Sequence, residues 1–335
     1  STGGPTGPIG LQFVAQPERE QAGWEGEASD PLLEDAHEAA PGLVYKYQAG
    51  ATEKGVRFSG RALWTITRNC AAYCRFCTRG REVGIPAGQE GIRSSALSFA
   101  SHLSRDQIEQ TLSFIRNEPG LKEIILSGGD PLTVRPDVLH YVLGELARLQ
   151  KSGNQESGKL DVVRIGTRVP IQNPAGVKEA HYRAIQQLQA PRMMIHINHP
   201  AELTSESLHV LDRFRKDTSA IVMSQTVLLK GVNDTVDVLY ALFTAMAREG
   251  IVPYYVYQND PVYWAKHFTV PVGEAIALWQ NLRPMLSGVA ATARFVIDTP
   301  GGYGKIPVPE GDAWNFDTGN FRDFQGKTFP LDVTD

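Results

Sequence analysis

Short apolar runs alternate with amphipathic segments along most of this 335-residue chain. The apolar runs are rich in β-branched residues, as buried strands are, and the segments between them have the period of helices. Strands that alternate with helices predict an α/β fold with a parallel sheet and right-handed crossovers. Six strands are predicted, at residues 62–67, 123–129, 162–168, 192–199, 220–229 and 252–260.

The ends of these strands distinguish a partial (β/α)6 TIM-like barrel from an open doubly wound sheet. Every predicted strand ends in polar or glycine-containing residues, and catalytic groups gather at the carboxyl ends of strands in βα barrels. The pattern therefore favours a partial barrel at residues 58–290. Residues 1–57, which are rich in Gly, Pro and Glu, predict an N-terminal arm. Residues 291–335 would form a C-terminal segment.

All three cysteines, Cys70, Cys74 and Cys77, lie within eight residues just after the first predicted strand. An odd number excludes a closed set of disulfides, and structural zinc sites and complete iron–sulfur sites usually take four protein ligands. Three thiolates on a [4Fe–4S] cluster leave its fourth iron open for a substrate or cofactor. Two alternatives stay open: a zinc site completed by a distant histidine, and three unrelated buried thiols. The glycines of "SGGD", residues 127–130, favour the cluster because they allow close approach to the backbone.

A second motif, "DTPGGYGK" at residues 298–305, places Lys305 after a glycine-rich turn. The motif is not a P-loop, because Thr299 stands where the first glycine would be and Ile306 follows the lysine. The simplest interpretation is a surface turn that ends in a solvated lysine. The alternative is a lysine near the strand ends that forms a Schiff base with pyridoxal phosphate.

These motifs resemble, in order, those of the lysine 2,3-aminomutases, a pyridoxal-phosphate-using branch of the radical S-adenosylmethionine enzymes. The resemblance runs from residue 8 to residue 308 and rests on "PIGLQFVAQPE", "DPLLEDAHEAAPGLVYKY", "RNCAAYCRFCTR", "LSGGDPL", "VRIGTRVP", "HINHP", "SQTVLLKGVND", "PYYVYQND" and "TPGGYGK". It implies three cofactors: a [4Fe–4S] cluster on the cysteines, S-adenosylmethionine on the open iron, and pyridoxal 5′-phosphate on Lys305. It also implies an isomerase that moves a 2-amino group to C3 through a 5′-deoxyadenosyl radical and a pyridoxal phosphate aldimine.

The resemblance assigns cofactor-binding roles to further residues by position. Residues that would bind S-adenosylmethionine are Phe76, Ser127, Gly128, Gly129, Asp130, His199, Gln225 and Tyr257. Pyridoxal phosphate would be held by Lys305 together with Lys46 and Tyr47. Family members often have an arginine at the position of Lys46, and lysine supplies the same charge without the planar fork.

Two acidic residues predict the substrate. Asp260 ends "YYVYQND" and Asp298 precedes Lys305, and either one could be an ordinary strand-end aspartate. In the family, carboxylates at these positions hold the distant ammonium of lysine, while Arg79 would take the α-carboxylate through a bidentate pair. The expected reaction is therefore L-lysine to β-lysine. Alternatives are an aminomutase for glutamate, arginine or ornithine, a homologue that modifies a protein lysine, a binding protein, and a non-catalytic electron-transfer protein.

Composition limits the partners. A formal net charge of −4 and a pI near 6.1 give no broad basic surface, which disfavours nucleic acid. The sequence has no apolar run of about eighteen residues and no basic-then-apolar leader, so we expect no membrane span and no signal peptide. Clustered thiols fit a reducing compartment and predict a cytoplasmic protein. The resemblance adds an electron donor such as flavodoxin or ferredoxin, and leaves a homo-oligomer open.

Overall fold

A computed structural model describes residues 3–20, 26–51, 57–83, 102–151, 160–299, 304–308, 314–315, 320–322 and 325–330. The strands are β1 (Glu38–Ala40), β2 (Leu43–Tyr47), β3 (Gly50–Ala51), β4 (Arg57–Phe58), β5 (Gly60–Thr65), β6 (Leu121–Ser127), β7 (Val162–Thr167), β8 (Arg192–His196), β9 (Ile221–Leu228), β10 (Val252–Gln258), β11 (Arg294–Thr299), β12 (Gly304–Pro307), β13 (Trp314–Asn315), β14 (Asn320–Arg322) and β15 (Thr328–Pro330). The α-helices are α1 (Arg105–Asn117), α2 (Pro136–Lys151), α3 (Val169–Gln172), α4 (Glu179–Ile185), α5 (Ser205–Thr218), α6 (Val236–Arg248) and α7 (Val272–Leu282).

One large sheet joins ten of these strands in the order β1-β2-β5-β6-β7-β8-β9-β10-β11-β12. Every neighbouring pair from β5 to β11 is parallel. At the two ends, β2 pairs with β5 and β12 pairs with β11 in antiparallel fashion. All six predicted strands are present, and the α/β architecture of a partial TIM-like barrel is confirmed.

The boundaries proposed at residues 57 and 290 do not interrupt this sheet. Residues 38–47 of the proposed arm supply β1 and β2, and β11 of the proposed C-terminal segment is a seventh parallel strand. The division into arm, barrel and C-terminal segment remains a proposal about sequence organisation.

Local sequence explains where the helices begin. Ser104 accepts a hydrogen bond from the Gln107 N–H, and the Gln107 side chain accepts one from the Ser104 N–H, which is a capping box. The side chains of Thr204 and Thr235 cap α5 and α6. Pro136 is the first residue of α2, where its fixed φ fits the helix. The helices α1, α2, α5 and α6 lie between the strands, where the helical period of the sequence predicted helices.

Two apolar clusters hold the molecule together. The larger cluster contains buried strand residues such as Trp64 and Ile124 and the apolar face of α2, including Leu139 and Leu143. Each such side chain contributes about 1.5–3 kcal/mol when it is fully buried. The smaller cluster joins the N-terminal region to the loop that carries the cysteines, and its buried members are Leu11, Phe76, Leu229, Val232, Val262, Ala265 and Phe268. None of the helices in the described ranges is both long enough and apolar enough to span a bilayer.

Candidate functional site

The carboxyl ends of the parallel strands border a cavity of about 270 Å³. Its lining includes Ser127 of β6, Gly166 of β7, His196 of β8, Gln225 of β9, Tyr257 of β10 and Asp298 of β11. Parallel strands bring their carboxyl ends to the same edge of a sheet, so residues far apart in sequence meet here. The structure therefore brings together the polar strand ends that the sequence predicted as a ring.

The cysteines follow β5 in a loop that the N-terminal region covers. The Arg75 N–H donates to the Gln12 carbonyl at 2.9 Å, and the Arg75 guanidinium pairs with Glu20. Phe76 is buried, and its ring meets those of His196 and Phe268 edge-on, with centroids 5.7 Å apart in each pair. The loop is thus fixed between the N-terminal region and the barrel, and Phe76 lies beside a histidine that lines the cavity.

The three thiols, Cys70, Cys74 and Cys77, are free and partly exposed. Burial raises the pKa of Cys70, and burial together with the charge of Cys74 raises the pKa of Cys77 to about 12. Such thiols become thiolates when a metal replaces their protons. Within the described ranges, no group of three His, Cys, Asp or Glu side chains converges on a single metal ion.

The glycines at the end of β6 are required by close packing. Gly128 has a φ of +143°, and a Cβ there would lie 2.3 Å from the Thr67 carbonyl oxygen. A Cβ on Gly129 would lie 2.1 Å from the Asn69 carbonyl oxygen. The turn therefore packs directly against the segment that leads into the cysteine loop, and Ser127 before it lines the cavity.

Asp130, predicted to bind S-adenosylmethionine, has a complete set of protein partners. Its buried carboxylate accepts hydrogen bonds from Thr167 Oγ1, from the Arg168 N–H and from the Leu132 N–H. Asp130 thus ties the end of β7 to the end of β6, and its predicted contact with S-adenosylmethionine stays a prediction.

Gln225, Tyr257 and His199 have different environments. The first two line the cavity, and Gln225 Nε2 donates to Tyr257 Oη at 2.7 Å. His199 caps the short 3-10 helix at Pro200–Glu202 instead, where its Nδ1 accepts a hydrogen bond from the Ala201 N–H. The roles predicted for these three residues at S-adenosylmethionine remain predictions.

Lys305 lines the same cavity and lies on β12 rather than on a solvated surface turn. Its Nζ donates to both carboxylate oxygens of Asp298, at 2.6 and 2.8 Å, and lies 5.0 Å from the centre of the Tyr257 ring. Burial lowers the pKa of Lys305, although the charge of Asp298 opposes this change. A lowered pKa favours the neutral amine that condenses with a carbonyl group. The predicted glycine turn itself, residues 300–303, lies outside the described residues.

Gly304 makes room for Tyr47 beside this lysine. Gly304 has a φ of +80°, and a Cβ there would lie 1.4 Å from the Tyr47 hydroxyl oxygen. The tyrosine hydroxyl therefore occupies the space that any other residue at position 304 would fill. Tyr47 and Lys46, both predicted to hold pyridoxal phosphate, line the cavity together with Lys305.

Glu34 was not among the residues predicted from the sequence, although it lies in the quoted segment "DPLLEDAHEAAPGLVYKY". Its carboxylate accepts hydrogen bonds from Nε and Nη2 of Arg79, both at 2.9 Å, and pairs with Lys46. Burial alone would raise the pKa of Glu34, but the charges of Arg79 and Lys46 hold it well below its usual value. One edge of the Arg79 guanidinium is thus occupied by an internal carboxylate.

Asp260 and Asp298 lie close enough to influence each other. Burial and the charge of Asp298 raise the pKa of Asp260 to about 7. Two carboxylates in one water-poor site disfavour each other's ionised form unless a cation joins them. The pair therefore favours the binding of a cationic group, and the role that the resemblance implies for it at the ammonium of lysine stays a prediction.

A family model described as "Radical SAM superfamily" matches residues 64–244, which is more than half of the chain. The L-lysine 2,3-aminomutase of Methanococcus maripaludis is 31% identical over 90% of this chain and 62% of its own length. The enzyme of the same name from Clostridium subterminale is 33% identical over 83% of this chain and 59% of its own length. The glutamate 2,3-aminomutase of Clostridioides difficile is 28% identical over 82% of this chain and 60% of its own length. This chain thus spans about 60% of the length of these curated relatives.

The cofactors of radical S-adenosylmethionine enzymes are a [4Fe–4S] cluster and S-adenosylmethionine, and the lysine 2,3-aminomutases use pyridoxal phosphate as well. The residues of this chain fit all three groups. Three thiols share one loop, Ser127 at the neighbouring strand end lines the cavity, and a half-buried lysine lines it as well. The chain belongs to the radical S-adenosylmethionine superfamily and, within it, to the lysine 2,3-aminomutase family.

Proposed function

We propose that this chain is a radical S-adenosylmethionine aminomutase that converts L-lysine to β-lysine. The observation that carries the proposal is that one cavity is lined both by strand-end residues beside the cysteine loop and by Lys305, Arg79, Asp260 and Asp298. When bound, the cluster and S-adenosylmethionine supply hydrogen-atom abstraction, and pyridoxal phosphate on Lys305 supplies reversible attachment of the migrating nitrogen. Flavodoxin or ferredoxin is the proposed electron donor.

Arg79 would hold the α-carboxylate of the substrate. Glu34 occupies its Nε–Nη2 edge, which leaves the Nη1–Nη2 edge to form a second bidentate pair. With Glu34 and Lys46 packed beside it, the guanidinium is held in place before the substrate arrives. Such preorganisation fixes the carbon skeleton, and so fixes which C–H bond faces the hydrogen-abstracting group.

Asp260 and Asp298 would hold the ammonium at the other end of lysine. In this structure Asp298 is paired with the Lys305 ammonium. Once Lys305 gives up its proton and is engaged by pyridoxal phosphate, Asp298 loses this partner and becomes available to a substrate cation. The side-chain carboxylate of glutamate would face two carboxylates instead, and a small apolar side chain would leave them without a cation.

The experiment is anaerobic reconstitution of the full chain with iron, sulfide, S-adenosylmethionine and pyridoxal phosphate, followed by reduction with dithionite. Lysine, glutamate, arginine and ornithine are supplied separately, and products are identified by nuclear magnetic resonance. We expect lysine to give β-lysine with the highest kcat/KM. Faster turnover of glutamate would overturn the substrate assignment and leave the reaction class standing. Failure of all four amino acids, with a cluster that responds to S-adenosylmethionine, would overturn the free-amino-acid aminomutase and favour modification of a protein lysine.

A further inference from the structure

Arg168 contacts one of the three cysteine sulfurs directly. Its Nη1 donates to Cys74 Sγ at 2.8 Å, while Nη2 donates to Glu202 Oε1 at 2.6 Å and to the Gln12 side-chain oxygen. The arginine is 4% exposed, so this contact is removed from solvent. A guanidinium that donates to a sulfur in such surroundings is an unusual use of a buried charge.

The position of this guanidinium is fixed from several sides. Its Cζ lies 4.6 Å from the centre of the Phe13 ring and 5.8 Å from that of Phe76. The Arg168 N–H donates to the Asp130 carboxylate at 2.7 Å. Glu202, the counter-charge, is itself held because its Oε2 accepts from the Asn198 N–H at 2.6 Å.

The three thiols differ in what donates to them. Cys70 accepts a hydrogen bond from the Ala72 N–H at 3.4 Å, and Cys77 accepts one from the Arg79 N–H. Both of these donors are neutral backbone groups. Among the hydrogen bonds of the described ranges, the one from a cationic side chain to a cysteine sulfur is at Cys74, whereas the charge of Arg79 acts on Cys77 without a side-chain hydrogen bond.

Hydrogen bonds to the sulfurs of an iron–sulfur cluster help to set its reduction potential, because they stabilise the extra negative charge of the reduced form. A charged donor in a site without water has a larger effect than a neutral one. Glu202 reduces the effect of Arg168 because it supplies a fixed negative charge next to the guanidinium.

We propose that Arg168 is a positioning residue that holds Cys74 and raises the reduction potential of the cluster, and that Glu202 limits this increase. The proposal rests on the cluster-binding part of the proposed function and is independent of which amino acid is used. Arg168 thereby favours transfer of one electron from a low-potential donor to the cluster.

The test compares midpoint potentials of the reconstituted full chain without S-adenosylmethionine, measured by mediated titration with dithionite and electron paramagnetic resonance. In Arg168→Met the ratio of reduced to oxidised cluster at a fixed potential should fall at least tenfold. For one electron, this corresponds to a midpoint potential that is lower by about 59 mV. In Glu202→Gln, which leaves Arg168 without its counter-charge, the ratio should rise. Arg164→Met is the matched control, since Arg164 is also buried on β7 but pairs with Glu123. Its ratio should equal that of the unaltered chain.

If the ion pair between Arg168 and Glu202 were purely structural, its loss would lower the iron content of both Arg168→Met and Glu202→Gln. It would not shift their reduction potentials in opposite directions. Arg168→Lys, which keeps a cation, should give a smaller fall than Arg168→Met. The inference is overturned, and the proposed function stands, if the unaltered chain holds a cluster and Arg168→Met has the same reduction potential. If Arg168→Met does not fold, Arg168→Lys takes its place in this comparison. An unchanged potential with weaker binding of S-adenosylmethionine would make Arg168 a ligand of that cofactor instead. If the unaltered chain holds no cluster, the proposed function fails as well.

Discussion

At the cysteine loop, burial holds the pKa of Cys77 at about 12, and the cation next to the thiols, Arg168, already has Glu202 as its partner. At the Lys305 side of the cavity, by contrast, Lys46 and Arg79 share Glu34, and Lys305 is paired with Asp298. In the first region, the guanidinium that donates to a thiol is therefore not a free cation. The second region has already neutralised its own charges.

This difference indicates that the cysteine loop is a site for a permanently bound cofactor, whereas the Lys305 side of the cavity is a site for ligands that bind and leave. The Cys70 and Cys77 thiols, whose pKa burial raises, become stable thiolates only when a metal stays bound to them. In an ionic network that is already neutral, a charged group of a ligand can instead replace one member of an internal ion pair. The number of paired charges then stays the same, so the net electrostatic cost is small. Changes at the cysteine loop should therefore remove a cofactor altogether, whereas most changes at the Lys305 side should alter affinity, stability or pH dependence.

The largest effect is expected from Cys74→Ser. Loss of one of three thiolates leaves the cluster with two anchors, so bound iron should fall from about four to less than one per chain. Iron and sulfide analysis measures this directly. Because the chain has only three cysteines, thiol titration adds an independent count: three reactive thiols in the iron-free unaltered chain and two in the variant. A Cys74→Ser chain that retains its full iron content would contradict the assignment.

Lys305→Ala should abolish the covalent attachment of pyridoxal phosphate while leaving iron content unchanged. Borohydride reduction of the unaltered chain should place the label on the peptide that contains Lys305, and the variant should show no such label. Lys46→Met is the matched control, since it removes a cation of the same cavity and should weaken binding without moving the label. The same labelled lysine in Lys305→Ala would refute the role of Lys305.

The two regions also differ in how far the sequence predicted them. The three thiols lie in one loop, so their spacing alone indicated the chemistry. The parallel strands were predictable because each is a short apolar run, rich in β-branched residues, that ends at a polar or glycine residue, and because the segments between the runs have the period of helices. The contact between Arg168 and Cys74 joins residues 94 positions apart, and the contact between Glu34 and Arg79 joins residues 45 apart. No local pattern encodes such pairs, because they depend on which strand ends become neighbours.

Glu34→Gln should destabilise the ligand-free chain by about 1–3 kcal/mol, because it leaves the hydrogen-bond donors of two partly buried cations without their carboxylate. Denaturant unfolding measures this loss. Inorganic phosphate should restore part of the stability of the variant, and should stabilise the unaltered chain less, since an added anion replaces the missing carboxylate. Glu145→Gln, at an ion pair with Arg116 on the helices, is the control and should cost less than about 1 kcal/mol with no phosphate effect. Equal phosphate effects in both variants would mean that Glu34 does not hold exchangeable cations.

The smallest effect concerns the pH dependence of stability. The pKa of Asp260 is about 7 in the folded chain, against about 3.9 in an unfolded one. The folded state therefore binds this proton more tightly, so its contribution to stability is fully present below about pH 4 and is lost as pH rises through about 7. Relative to Asp260→Asn, the unaltered chain should lose unfolding free energy steadily as the pH rises across this range. Comparison with the variant cancels the other carboxyl groups that titrate in the same window.

With pyridoxal phosphate bound, so that Lys305 no longer occupies Asp298, saturating lysine then separates a structural carboxylate from one that binds substrate. An ammonium between Asp260 and Asp298 favours the ionised form of both, which lowers the pKa of Asp260 and moves its titration below neutral pH. The stability difference between the two chains should then become flat between pH 5 and 7 in the presence of lysine, and should stay sloped with glutamate. Burial raises the pKa of Cys77 to about 12, so this thiol does not contribute to the slope. If lysine leaves the slope of stability against pH unchanged, Asp260 does not bind the substrate cation. The Lys305 side of the cavity would then not be a site where internal ion pairs are exchanged for charged ligands.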